Sequence, residues 1–218
     1  YSKQVKGIVD GGADGIIIET MSDIKEALCA LKAVRKNSSL PVGITFGFNK
    51  DKKGFATIMG LTPEQAVLAV VKENPDIIGA NCGSVTIEDM VAIAKIMKKH
   101  TSIPLWIKPN AGLPVFKSGN TSYPQTPEEI AFFVPQLIEA GVKIIGGCCG
   151  TTPEHIKQIR KKVIGWILGL PMYALILGSF IGSIYAAYTN LQGITWATPA
   201  ILAGIIIAYA IGIYLRKD

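Results

Sequence analysis

Three times the chain reads Thr-Pro-Glu, at 62–64, 126–128 and 152–154, each time after a short apolar run and a loop. Threonine caps a helix N-terminus, and proline is suited to the first helical position, where a backbone N–H has no intrahelical partner. Gln65 adds the reciprocal half of a capping box at the first site. Asp23 and Thr86 start two further helical patterns, running to Val34 and Lys99, and Pro135 predicts a kink in the helix that begins at Thr126. The interleaved apolar runs, Gly15–Ile18, Pro41–Phe46, Asp76–Asn81, Ile103–Ile107 and Val142–Ile145, are too short for helices and read as buried strands. Strands alternating with capped helices predict an α/β fold with parallel strands covered by helices. About five βα units are present. An open sheet and part of an eight-stranded barrel both accommodate them.

Charge divides the chain. The formal net charge is +6, yet residues 163–215 carry no charged side chain. Two apolar spans, at about 163–188 and 194–215, would extend about 39 Å and about 33 Å as helices, enough to cross a hydrocarbon core. Residues 189–193 supply a polar turn. The expectation is an all-α transmembrane hairpin at 163–218 following a soluble domain at 1–162. Arg160, Lys161 and Lys162 before the first span, with Arg216 and Lys217 after the second, put both flanks on the cytoplasmic face. The chain then reads as an integral membrane protein with its soluble domain on the cytoplasmic side. Its partners would include the lipid bilayer and, through small-residue pairs such as Gly165/Gly169, a membrane-complex partner or a second copy. No signal peptide opens the sequence, and a first residue other than Met points to processing or truncation. No aromatic-basic repeat points to nucleic acid.

In that compartment four cysteines are thiols or metal ligands rather than a disulfide framework. Cys29 falls within an amphipathic helical pattern and reads as core. Cys82 and the Cys148-Cys149 pair each follow a predicted strand, and the C-terminal ends of parallel strands share one face. Gly146, Gly147 and Gly150 give the backbone freedom to turn adjacent cysteines toward one point. Three thiolates with an open fourth position suit zinc and an external thiol, while small buried side chains are the other reading. His100 and His155 read as helix-end residues rather than as ligands or a catalytic base.

Four strings carry a resemblance: Ile-Ile-Ile-Glu-Thr-Met at 16–21, Gly-Ala-Asn-Cys-Gly at 79–83, Lys-Pro-Asn-Ala-Gly-Leu-Pro at 108–114 and Gly-Gly-Cys-Cys-Gly-Thr-Thr-Pro-Glu-His at 146–155. In this order they resemble the homocysteine S-methyltransferase family, including the homocysteine domain of cobalamin-dependent methionine synthase. The resemblance implies a partial zinc-dependent (β/α)8 TIM barrel in which Cys82, Cys148 and Cys149 are the metal ligands and the catalytic centre. It implies transfer of a methyl group to the thiol of homocysteine, forming methionine, with the donor left open among a corrinoid or folate compound supplied by a partner, a sulfonium compound and a quaternary ammonium. Glu19 matches a substrate-binding position where a carboxylate would pair with the homocysteine ammonium; a rim salt bridge is the alternative. Asn110, counted with Glu19 and Asn81 among the substrate-binding residues, orients the zinc loop or occupies the vacant coordination position before substrate binds; a turn-stabilising asparagine is the alternative. Asn81 either orders the first cysteine loop or caps local backbone groups. The match begins just before the family's fourth barrel strand, so catalysis is expected to need the missing barrel segment. The alternative function is a non-enzymatic subunit or scaffold of a membrane complex with a degenerate methyltransferase domain.

Overall fold

The computed structural model describes residues 1–117 and 119–188. Helix α1 (Ser2–Asp10) leads into β1 (Ile16–Met21) and α2 (Ile24–Asn37). Strand β2 (Val42–Phe46) is followed by a hairpin of β3 (Asn49–Asp51) and β4 (Gly54–Ala56), and then by α3 (Pro63–Val70). Next come β5 (Ile77–Asn81), α4 (Ile87–Lys98) and β6 (Leu105–Lys108). A second hairpin, β7 (Val115–Lys117) and β8 (Asn120–Ser122), precedes α5 (Pro127–Phe132), α6 (Val134–Glu139), β9 (Val142–Ile145) and α7 (Pro153–Tyr188). Tyr1–Ile159 form one compact unit, and a second begins at Arg160.

The helix starts follow from local chemistry. Thr62, Thr86 and Thr126 each accept the backbone N–H three residues on, and Gln65, Asp89 and Glu129 return the bond to the cap, completing three capping boxes. Asp23 accepts the Glu26 N–H in the same manner. The expected kink is a full break: α5 ends and α6 begins at Phe133, because Pro135 has no N–H to give to the carbonyl four residues back.

All five expected core strands form one parallel sheet in the order β1-β2-β5-β6-β9, so every strand neighbours the next one of that set. Registers place Ile17 opposite Gly43, Gly43 opposite Ile77, Gly79 opposite Trp106, and Asn81 opposite Lys108. Residues opposite one another point to the same face, and the face alternates along each strand. One face therefore presents Ile16, Ile18, Val42, Ile44, Phe46, Ile78, Ala80, Leu105 and Ile107, all buried in a single apolar cluster with Leu31, Val67, Ile93 and Leu137 of the helices. The other face carries Ile17, Glu19, Thr45, Asn81, Trp106 and Lys108. Parity alone thus brings the polar strand residues together.

Three corrections follow. Helix α1 was not expected, and its only fully covered side chain is Val5. The loops after β2 and β6 hold antiparallel hairpins that were not expected, because three-residue strands are too short to show alternation. The transmembrane hairpin is not found: among the described residues no helix is long and apolar enough to cross a membrane. Residues 163–188 continue α7, whose first turns carry Glu154, Lys157, Arg160, Lys161 and Lys162, because a change from charged to apolar side chains does not end a helix. The integral-membrane localisation and the bilayer and membrane-complex partners are withdrawn with it. The expected turn at 189–193 and second span at 194–215 lie outside the described residues.

Candidate functional site

The site is built where β5 and β9 end. Cys82, one residue past β5, adopts a left-handed conformation at φ 55, followed by Gly83 at φ 75. That conformation costs a side-chain-bearing residue about 1–2 kcal/mol, and such strain concentrates at functional sites. A Cβ on Gly83 would stand 1.9 Å from the Phe48 carbonyl oxygen, so the Cys82 loop lies directly against the loop after β2.

The second cysteine loop extends the pairing of β6 with β9 beyond the strand ends. Gly146 N–H donates to Ile107 O at 3.0 Å, Cys148 N–H to Pro109 O at 2.9 Å, and Ala111 N–H to Cys149 O at 2.9 Å. Thr151 closes the turn, its hydroxyl donating to Cys148 O at 2.7 Å. His155 reaches back to the cap of α7. Its Nδ1 accepts the Thr152 N–H at 3.1 Å, leaving Nε2 to donate to Gln125 O at 3.1 Å. Buried and fully bonded, His155 supports the loop and is not a ligand.

These loops bring the sulfurs of Cys82, Cys148 and Cys149 within 4.8 Å of one another. Cys82 Sγ is 3.5 Å from Cys149 Sγ, and Cys148 Sγ is 3.9 Å from Cys149 Sγ. Three thiols so placed form a cysteine site capable of binding a metal ion. Burial pushes the Cys82 thiol up to about 11, helped by its hydrogen bond with Cys149 and the nearby Cys148. The hydrogen bond from Cys82 holds Cys149 below the ordinary thiol range, with contributions from Cys148 and the Tyr123 phenol. Cys149 therefore gives up its proton before Cys82, and a bound divalent cation would displace thiol protons from the cluster. Cys29 lies apart in α2 and is exposed rather than core.

Both asparagines are structural links to the cysteines. Asn81 is fully buried and uses all four of its hydrogen-bonding positions. Its Oδ1 accepts the Thr45 hydroxyl at 2.7 Å and the Thr20 N–H at 3.2 Å; its Nδ2 donates to Thr20 Oγ1 at 2.7 Å and toward Cys148 Sγ at 3.7 Å. Asn110 ties the two cysteine loops together, accepting the Cys149 N–H at 3.2 Å and donating to Gly83 O at 3.3 Å. Glu19 does not touch the thiols. Its Oε1 pairs with Lys108 Nζ at 2.7 Å, across the sheet face from β1 to β6.

Sequence reasoning missed Thr20, Thr45, Trp106, Lys108 and Tyr123. Thr20 stands at φ 58, which is rare for a β-branched residue and has no sequence signature. The Lys108 ammonium lies 4.4 Å from the Trp106 ring centroid as well as on Glu19. A lysine directly after the apolar run 105–107 was the one available signal.

Known proteins share this architecture. The chain resembles the homocysteine methyltransferase MmuM from Escherichia coli, solved in an apo form with a TM-score of 0.59 and 22% identity, covering 73% of this chain and 54% of that one. The metallated form gives a TM-score of 0.56 and 24% identity over 71% and 47% of the two chains. These likenesses establish the fold. Closer in sequence are the methionine synthases of Mycobacterium leprae, 32% identical over 167 residues, and Mycobacterium tuberculosis, 33% identical over 169. Each match takes in 75% of this chain and 14% of the relative's length. The family description "Homocysteine S-methyltransferase" matches residues 1–163, a span that holds every strand among the described residues and all three clustered cysteines. The chain therefore belongs to the homocysteine S-methyltransferase family.

Proposed function

We propose that residues 1–162 form a thiol-methylating unit in which Cys82, Cys148 and Cys149 hold zinc and the thiol of homocysteine is methylated to methionine. The observation that carries this reading is the sulfur spacing. Tetrahedral zinc with bonds of about 2.3 Å sets its sulfur ligands about 3.8 Å apart, and two of the three pairs stand at 3.5 and 3.9 Å. The donor set fits as well, since three soft ligands leave a fourth position for an external sulfur.

Bound zinc would supply one thing, a lowered pKa that keeps the substrate sulfur a thiolate near neutral pH. The chain's own residues do the rest. Asn110 holds the two cysteine loops at a set separation, and Asn81 orients Cys148 from below. Glu19 would accept the substrate ammonium on the carboxylate oxygen that Lys108 does not use. The new S–CH3 bond forms as the bond from methyl to its donor breaks; the donor keeps the bonding pair, and the thiol proton has gone to solvent. Such a displacement needs in-line positioning and no serine or cysteine nucleophile. A corrinoid or folate donor presented by a partner fits this chemistry, as does a sulfonium or quaternary ammonium compound, and the test below offers all four. The described sheet has five parallel strands, and closing it into an eight-stranded barrel takes three more, which full turnover would require.

The test is metal content and methionine formation by the full chain, with and without a segment supplying the first three barrel strands. The donors offered are a methylcorrinoid, a methylfolate, a methylsulfonium and a quaternary ammonium. The expected result is one zinc per chain, lost on Cys82→Ser, Cys148→Ser or Cys149→Ser, and homocysteine-dependent methionine from the completed barrel. Zinc retained in all three variants, or a zinc-loaded completed barrel inert toward every donor, would overturn the proposal.

A further inference from the structure

The Glu19–Lys108 pair is asymmetric. The Lys108 side chain is 7% exposed, enclosed by Glu19 and the Trp106 ring, whereas Glu19 is 47% exposed. Freeing Lys108 from its partner would strand a nearly buried ammonium, which is far costlier than leaving the pair intact. Glu19 consequently does not present a bare negative charge to a ligand. It presents one edge of a neutral ion pair.

The pair is wired to the thiols at both ends. On the Glu19 side, the adjacent Thr20 bonds Asn81, which reaches Cys148 Sγ. On the Lys108 side, Asn110 two residues on bonds the Cys149 N–H. Beside the lysine stem, the Trp106 indole N–H is buried with no hydrogen-bond acceptor among the described residues. A head group brought to this pair meets a carboxylate and an ammonium together, with the Trp106 ring against the ammonium.

From this we infer that Lys108 is a specificity-determining residue, which with Glu19 makes the inner face selective for thiols whose head group is a zwitterion. The inference rests on the homocysteine reading above and adds a residue and a selection rule to it. A bare amine placed on Glu19 also meets the Lys108 charge. A bare carboxylate placed near Lys108 also meets Glu19. Only a head group carrying both charges on one carbon is complemented at both ends, and mismatched charges at close range are strongly selected against.

The test uses the full chain loaded with cobalt(II), whose sulfur charge-transfer band reports thiol coordination without turnover. Three probes are titrated: L-homocysteine, 4-mercaptobutanoate, which lacks the amine, and 3-mercaptopropylamine, which lacks the carboxylate. The unmodified chain should prefer L-homocysteine to both, by about tenfold or more for a lost charge complement. Lys108→Met should weaken L-homocysteine and 4-mercaptobutanoate while tightening 3-mercaptopropylamine. Glu19→Gln should do the opposite to the two analogues, and Lys108→Arg should restore the original order. Three equal affinities in the unmodified chain, or a uniform loss in Lys108→Met, would overturn the inference while leaving the thiol site standing. Failure of every thiol to perturb the cobalt spectrum would overturn the functional reading and this inference together.

Discussion

Replacing Gly83 by alanine separates two effects that act together at the first cysteine loop. At φ +75, alanine pays the left-handed penalty of about 1–2 kcal/mol. Its Cβ would also meet Phe48 backbone atoms at 1.9, 2.8 and 2.9 Å, and a backbone cannot rotate aside as a side chain can. Overpacking of this kind adds about 1–3 kcal/mol, for a total of about 2–5 kcal/mol. Gly12 is the control, because at φ +79 an added Cβ meets nothing within 4 Å. Gly12→Ala should therefore cost only about 1–2 kcal/mol. In urea denaturation of the metal-free, reduced chain, a slope of about 2 kcal/mol per molar converts these to midpoint drops of about 1–2.5 M for Gly83→Ala and about 0.5–1 M for Gly12→Ala. Because Cys82 is the preceding residue, Gly83→Ala should also weaken zinc binding in a chelator competition, and Gly12→Ala should not. Equal midpoints and equal zinc affinities in the two variants would refute the close approach of the Cys82 loop to Phe48.

Three further outcomes follow from the site. In the metal-free chain, alkylation at pH 8 should modify Cys149 before Cys82, whose labelling should rise only as the pH approaches 11; peptide mapping that shows equal rates would contradict the assigned environments. The sign for stability is set by the same shift: the folded state holds the Cys82 proton more tightly than the unfolded chain, so this contribution is complete below pH 9 and is lost as the pH rises from 9 to about 11. His155→Ala should lower stability by about 1–3 kcal/mol, because it removes two hydrogen bonds of the buried ring, to the Thr152 N–H and the Gln125 carbonyl, each contributing about 0.5–1.5 kcal/mol. An unchanged urea midpoint would show that water replaces both bonds.

The parts legible in the sequence are those governed by neighbours along the chain. Thr62, Thr86 and Thr126 cap helices through atoms three residues away, and the break at Pro135 follows from a missing N–H. The five apolar runs became the five core strands with boundaries moved by a few residues. Their glycine-rich exits marked Cys82 and Cys148-Cys149 as residues of one rim. The hairpins at 49–56 and 115–122 escaped notice because three-residue strands are too short to leave a periodic pattern. The apolar stretch after Lys162 misled for a related reason, since composition shows where charge stops and not where a helix begins.

By itself, then, the sequence determined the alternation of strand and capped helix, the clustering of three thiols and the resemblance that those motifs carry. All of these rest on local spacing and on residue type. Only the tertiary structure decided that Glu19 is paired with Lys108, 89 residues away, and that Asn81 joins Thr20, Thr45 and Cys148. It also decided that Thr20 and Cys82 sit in left-handed backbone. Those outcomes depend on sheet register, because moving one strand by a single residue would turn Glu19, Asn81 or Lys108 to the opposite face.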